Sequence, residues 1–328
     1  MRTDLFAVAS GLAAVSASIP PACRRGVEAP PPPGRDGDDV VVEFPAWQPR
    51  RAARHLVPSL AVLSPAAPTF RFELSARAGG AWSPWVATVT IGRAELPPAP
   101  MTAGPLTADE DYWKASAPVE VVRLRLRLRA GDADQVLAAP WLLTLSACDL
   151  EPPAPPAVVG DRVRLDVPAW SQTEVRADIA MRICSPASVA MVLAYLGAPA
   201  PLEQLAAEMY HPGRDRYGVW PAAIAAAARR GVLGYLARFP DWGAAAWCLA
   251  QGLPVIASVR YAAGELGGAA IPASAGHLLV LTGYEGGDVL VNDPAAPGGA
   301  VARRYRLDEL ARVWLERAGV GYVLFRPA

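Results

Sequence analysis

The chain has 328 residues, with 31 basic and 31 acidic side chains, 52% apolar residues and 19% charged residues. At about 100–200 residues per domain this is about two domains, and the composition excludes a disordered chain. The zero net charge lacks the basic excess of a dedicated nucleic-acid binder, and no run approaches the ~18 consecutive apolar residues of a membrane span. In chain order, residues 1–17 are apolar. Residues 5–15 have the composition of an export-signal core, and Val15-Ser16-Ala17 that of a cleavage site, although Asp4 cancels Arg2. The alternative is an apolar segment packed on the first domain. Pro30 to Pro33, LPPAP at 96–100 and EPPAPPA at 151–157 are extended, semi-rigid stretches that cannot continue helices. They set the expected boundaries: an N-terminal apolar and Pro-rich segment over 1–38, a domain over 39–150, a linker over 151–160, and a second domain over 161–328.

The 39–150 region reads as all-β. Phe70, Phe72 and Leu74 alternate with Arg71, Glu73 and Ser75. Leu124, Leu126 and Leu128 alternate with Arg123, Arg125, Arg127 and Arg129. A period of two marks half-buried antiparallel strands. A further strand is expected over 86–91, and one over 141–146 to close the sheet. An N-terminal β-sandwich is the economical reading. The Arg row is expected to be a solvated strand face rather than an anion site. Trp82 and Trp85 are expected to pack at an edge rather than stack on sugars.

After Gly160 the period changes. Val189, Val192, Leu193 and Leu196 lie on one helix face, and Gly197-Ala198-Pro199 stops that helix. Helices are predicted over 202–209, 221–230, 242–251 and 307–315. Strands are predicted over 254–261, 278–284, 289–291 and 321–325. Helices followed by strands indicate an α+β domain.

The four cysteines, Cys23, Cys148, Cys184 and Cys248, form no C-x-x-C pair, so neither a zinc site nor a disulfide framework is expected. With three histidines, His55, His211 and His277, no metal and no cofactor is expected. Cys184 stands at the start of the first helix, with Pro186 in its first turn. A thiol there feels the positive end of the helix dipole, which lowers its pKa and suits it to covalent catalysis. His277 opens a strand, and Asp293 precedes Pro294 at the end of the next, after the Glu285-Gly286-Gly287 turn. Adjacent antiparallel strands bring the two together, with His277 as general base and Asp293 as its orienting acid. Gln172 can donate its amide to an oxyanion beside a backbone N–H near Cys184. Cys148, Cys248 and His211 are expected to be structural. For Trp220, Tyr261 and Glu265 the sequence leaves a place lining a substrate cleft and plain packing equally open.

The order Gln, Cys, His, Asp-Pro resembles the C39-like cysteine peptidases of the papain-like superfamily. The resemblance rests on Ser171-Gln172, CSPASVAMVLAYLG at 184–197, GVWP at 218–221, GLPVIASV at 252–259, GHLLVLTGYE at 276–285, VNDPAA at 291–296, and Tyr305 before a helix ending in Trp314. It implies a C-terminal α+β papain-like catalytic domain. It further implies Cys184 as nucleophile, His277 as base, Asp293 as orienting acid and Gln172 as oxyanion donor, acting on a peptide or protein substrate. Residue 185 is Ser, where the leader-processing members of the family have Gly, and no transporter or ATPase segment accompanies the domain, so leader processing during export is not implied. The β-region also resembles the accessory sandwich that precedes such domains in exported bacterial proteins, on Trp82-Ser83-Pro84-Trp85 and Asp109-Glu110-Asp111. It could position substrate, bind a cell-envelope polymer, or pack on the catalytic domain. Location at the envelope or outside is expected if residues 1–17 direct export, and a cytoplasmic place otherwise. Two rival functions share the same residues: a binding protein with a silent triad, and a transglutaminase-like acyltransferase.

Overall fold

A computed structural model describes residues 1–157, 160 and 162–327. Val158 and Val159 of the expected linker, Asp161 at the expected start of the second domain, and Ala328 lie outside the described residues. The N-terminal half forms two sheets. In the first, the spatial order is Arg24–Glu28, Thr3–Ser10, Trp141–Cys148, Ala53–Val62, Tyr112–Val119, Leu106–Asp109 and Thr102–Ala103. In the second it is Gly34–Asp36, Asp39–Glu43, Val121–Arg129, Phe70–Ala78 and Ala81–Trp82, with Val86–Ala87 also on Phe70–Ala78. Pairing is antiparallel except between Thr3–Ser10 and Arg24–Glu28. Strand alternation builds the core between the sheets. Phe6, Val8, Leu56, Leu60, Leu143 and Leu145 of the first meet Phe72, Leu74, Leu124 and Leu126 of the second.

The first sheet is buried on its other face too. Leu5, Ala7, Val57, Ala61 and Leu142 belong to the core of the C-terminal half. Burial on both faces explains the N-terminal sequence. The strand Thr3–Ser10 reads as a continuous apolar run because neither of its faces meets water. In the structure the run is a packed strand: it pairs with Trp141–Cys148 over eight positions, Thr3 to Ser10. Asp4, the residue that spoiled the signal pattern, is buried and takes the Arg50 guanidinium at 2.5 Å. Phe6 stacks on Trp47 at 5.2 Å. The expected boundary at residue 38 accordingly does not separate a lead-in from the first domain, because both Thr3–Ser10 and Arg24–Glu28 are strands of its first sheet.

Three further expectations are corrected. The half is not all-β, since a helix, Ala130–Ala138, links two of its strands, and its Asp132 accepts the Thr69 N–H at 2.8 Å. The strand expected over 86–91 shortens to Val86–Ala87, with Ile91 held only by a bridge to Phe70. The Arg row is a solvated face only in part: Arg123, Arg125 and Arg129 are partly exposed and Arg127 is not. Arg127 is buried and pairs with Asp36 at 2.6 Å, Glu73 at 2.8 Å and Asp39 at 3.2 Å. Arg125 pairs with Glu43 at 2.8 Å. The Trp82 ring covers Arg123 at 4.1 Å and the Trp85 ring covers Arg125 at 3.8 Å. The carboxylates come from neighbouring strands, so a sequence pattern on one strand could not display them. Trp82 and Trp85 do pack at the edge, against guanidinium planes.

The C-terminal half has one antiparallel sheet in the order Leu233–Arg238, Val320–Phe325, Val255–Tyr261, Ser274–Glu285, Asp288–Asn292, Ala302–Arg306, with Val163–Arg164 also on Ser274–Glu285. Helices Cys184–Tyr195, Leu202–Met209, Trp220–Ala228, Trp242–Ala250 and Leu307–Trp314 flank it, close to the predicted segments. Leu233–Arg238 is an edge strand, missed in the sequence, and it lies against the first sheet of the other half. Its free N–H groups are met there: Leu236 donates to Ser59 Oγ at 3.2 Å and Arg238 to Ser146 Oγ at 3.0 Å. Hydroxyls on a sheet face thus cap an edge that would otherwise expose unpaired donors. Ser146→Val leaves the Arg238 N–H buried and unpaired. Urea unfolding should show a loss of about 1–3 kcal/mol, with no effect on the chemistry of Cys184.

Candidate active site

Cys184 is the first residue of the helix Cys184–Tyr195, one residue after the N-cap Ile183. Among the described residues no side chain caps this end, so the backbone N–H groups of Cys184 and Ser185 remain available to a ligand or a thiolate; Pro186 has none. The remainder of the helix is buried from Ser185 to Leu193, and Gly197 at φ 71° turns the chain away from it. His277 lies on Ser274–Glu285, opposite Val259 of the neighbouring strand. Asp293 follows Asp288–Asn292, reached through a tight turn in which Gly286 and Gly287 have φ of 58° and 89°.

The structure joins two of the four predicted residues, His277 and Asp293, by a hydrogen bond, with Cys184 near enough to the His277 ring for the ring to lower its pKa. His277 Nε2 lies 2.7 Å from Asp293 Oδ1. Asp293 is fully buried, and its oxygens accept two more bonds: Oδ1 from the Ala295 N–H at 3.0 Å and Oδ2 from the Tyr305 hydroxyl at 2.7 Å. The Asx turn before Pro294 and the bond to His277 are thus made by one carboxylate. Tyr305 carries a role that the sequence reading did not assign. Its side chain joins the site across the Asp288–Asn292 strand, a pairing that no local signal encodes.

Gln172 is buried, but its amide is engaged elsewhere. Its Nε2 donates to the Ala180 carbonyl at 2.8 Å, its backbone N–H donates to Pro294 O at 2.8 Å, and Oε1 has no hydrogen-bond partner among the described residues. It ties the turn before Cys184 to the segment after Asp293. One amide hydrogen remains for another acceptor.

The electrostatics separate Cys184 from the other cysteines. Burial raises the thiols of Cys23, to about 12, and of Cys148 and Cys248. Burial pushes the Cys184 thiol up as well. The hydrogen bond and charge of His277, with the N–H groups of Leu278 and Ser185, outweigh it and bring the net shift down. For His277, burial disfavours the charge, but the bonds to Asp293 and Cys184 prevail and raise its pKa. Asp293 is likewise held below the usual carboxylate range, by His277 and then Tyr305, against the cost of burial. The arrangement favours a thiolate–imidazolium pair.

Cys184 opens onto a cleft of about 380 Å³ shared by both halves of the chain. Trp220 lines it and stacks on Tyr112 of the N-terminal half at 5.2 Å. Tyr261 is buried and does not line the cleft, and its hydroxyl has no hydrogen-bond partner among the described residues. Glu265 pairs with Arg317 at 2.5 Å and takes no part in the cleft. His211 is structural, its Nε2 3.0 Å from Thr90 O across the two halves.

His277→Ala removes the interaction that lowers the Cys184 pKa and leaves the burial that raises it. Alkylation of Cys184 by iodoacetamide at pH 7, read by mass spectrometry of the labelled peptide, should slow by at least about tenfold, one pKa unit. Cys23, Cys148 and Cys248 should remain unlabelled in both proteins.

Residues 164–322 match the model of the Peptidase_C39 like family. No curated protein matches the chain. Among solved structures, a double glycine motif protease from an AMS/PCAT transporter, in complex with the leader peptide, is 23% identical, with 52% of this chain and 100% of that one covered and a TM-score of 0.35. A putative C39-like peptidase from Bacillus anthracis is 17% identical over 52% of this chain and 100% of its own, with a TM-score of 0.41. The peptidase domain of Streptococcus ComA, a bi-functional ABC transporter, is 15% identical over 49% and 98%, with a TM-score of 0.36. Residues 164–322, behind an N-terminal β-rich half, are thus similar to the C39-like peptidase family.

Proposed function

We propose that the protein is a cysteine peptidase that hydrolyses amide bonds of a peptide or protein, with Cys184 as nucleophile, His277 as general acid and base, and Asp293 as its orienting partner. In this reading the catalytic half is papain-like and the N-terminal half is a β-sandwich. The observation that carries the reading is the contrast among the four cysteines. Cys184 alone has its pKa drawn down, it does so through a histidine tied to a buried carboxylate, and it faces a cleft.

The thiolate attacks the scissile carbonyl, and the carbonyl oxygen takes the negative charge. Donors for that oxygen are the uncapped first-turn N–H groups and the second amide hydrogen of Gln172. His277 then gives its proton to the departing amine, which leaves a thioester on Cys184. The neutral imidazole takes a proton from water, the hydroxide attacks the thioester, and the acid product leaves with the thiolate restored. Tyr305 and the Ala295 N–H hold Asp293 ionised while His277 changes charge. No metal or cofactor enters these steps.

The protein should be incubated with a peptide library derived from digested proteins, and new termini read by mass spectrometry. Cleavage abolished by Cys184→Ala supports the reading; cleavage that survives it, or none by the wild type, rejects it. New amide products in the presence of an added amine instead indicate acyl transfer. Gln172→Ala should lower kcat by about 10²–10³, the usual effect of losing one oxyanion donor, with little change in the alkylation rate of Cys184, because alkylation builds no oxyanion. The activity should be bell-shaped in pH. Its acid limb reflects protonation of the thiolate and should lie below the usual thiol range. Its alkaline limb reflects loss of the His277 proton and should lie above the usual imidazole value of ~6.5.

A further inference from the structure

The cleft before Cys184 has charged walls, and nearly every charge in them is already answered. From the N-terminal half, Asp109 takes the Lys114 ammonium at 2.5 Å and the Tyr112 hydroxyl at 2.8 Å. Glu110 pairs with Arg216 at 3.3 Å. Asp111, buried, accepts the N–H of Trp220 at 2.5 Å, which begins the helix Trp220–Ala228. From the C-terminal half, Asp215 pairs with Arg182 at 2.7 Å and accepts the Tyr210 hydroxyl at 2.8 Å.

Arg260 is different. It lines the same cleft, is exposed, and among the described residues its guanidinium has neither an ion-pair nor a hydrogen-bond partner. Its backbone is held, because its carbonyl accepts the Arg317 guanidinium at 2.8 Å. It stands two positions after Ser258 on Val255–Tyr261, so strand alternation turns both side chains to one face, and both line the cleft. Ser258 pairs with Leu278, the residue after His277. The opposing wall does not satisfy it either. The Asp109 carboxyl is held below its usual range first by the Lys114 hydrogen bond, with Arg260 a minor contributor at longer range. A guanidinium fixed at its root, free at its head and flanked by neutralised carboxylates suits a bidentate contact with an incoming carboxylate.

We propose that Arg260 is the residue that sets substrate preference, by receiving a carboxylate of the peptide near the scissile bond, either an Asp or Glu side chain or the peptide's own C-terminus. The inference rests on the peptidase reading for its biological use, but the carboxylate site is testable without it. The N-terminal half then acts as the second wall of the substrate cleft; its Asp109 and Glu110 are ion-paired and its Asp111 is buried on the Trp220 N–H, which leaves Arg260 as the exposed cleft charge without a partner among the described residues.

The test compares alkylation of Cys184 by iodoacetate and by neutral iodoacetamide in the full-length protein. In the wild type the anionic reagent should be favoured relative to its rates with a small free thiol. In Arg260→Gln the iodoacetate-to-iodoacetamide rate ratio should fall by about threefold or more at low salt, and Arg260→Lys should retain part of the preference. The iodoacetamide rate should stay level across the three proteins, which also reports that each is folded. An unchanged ratio in Arg260→Gln overturns the proposal. Peptide-library cleavage then identifies the carboxylate. Enrichment of Asp or Glu beside the cut, lost in Arg260→Gln, assigns a side chain. Cleavage lost on C-terminal amidation assigns the terminus. A cleavage profile indifferent both to Arg260→Gln and to amidation overturns the proposal. If the wild type cleaves no peptide while the labelling ratio still depends on Arg260, the peptidase reading fails and the carboxylate site stands.

Discussion

The fully buried Asp293 carboxylate is the constraint around which the C-terminal half is arranged. A buried charge is costly unless its lone pairs are met. Meeting them requires three separate pieces of chain: the His277 ring from one strand, the Ala295 N–H from the turn that follows, and the Tyr305 hydroxyl from the strand beyond. Once these meet, the His277 ring is fixed through Nε2, and its charge lowers the pKa of the Cys184 thiol. The helix that carries Cys184 is held against the same strand by a bond from Ser188 Oγ to Leu278 O at 3.2 Å. Structural satisfaction of the carboxylate and chemical activation of the thiol are therefore one arrangement.

A second constraint joins the two halves. The first sheet is apolar on both faces, so it needs a cover on each. One cover is the second sheet; the other is the C-terminal half, whose edge strand Leu233–Arg238 finds hydroxyl partners on that face. The same docking brings the 109–112 segment to the mouth of the Cys184 cleft. The β-rich half is a structural part of the site and not an appended module.

Legibility in the sequence followed the range of the interactions. The helices of the C-terminal half were readable because period and stop signals are local: Gly197, Gly231 and Gly252 end three of them, all at positive φ. Cys184, His277 and Asp293 were readable because a helix start, a strand start and an Asp-Pro turn each leave a local mark. The strand Leu233–Arg238 was not readable, since it is buried on all sides and shows no alternation. Thr3–Ser10 was ambiguous for the same reason, because double-sided burial and an export-signal core have the same apolar composition. The Arg row misled because the charges that answer it lie on other strands.

The sequence by itself determined which residues could do chemistry and the order in which they arrive: a thiol at a helix start, an imidazole about ninety positions later, a carboxylate before proline. These are properties of single residues and their immediate neighbours. Tertiary structure decided what surrounds them. It supplied Tyr305 to Asp293, turned the Gln172 amide to Ala180, paired the Arg row with carboxylates from other strands, and set Arg260 in a cleft where Asp109, Glu110 and Asp215 are already ion-paired. Hydrogen bonds and ion pairs between segments far apart in sequence depend on register and packing, and no window of neighbouring residues contains them.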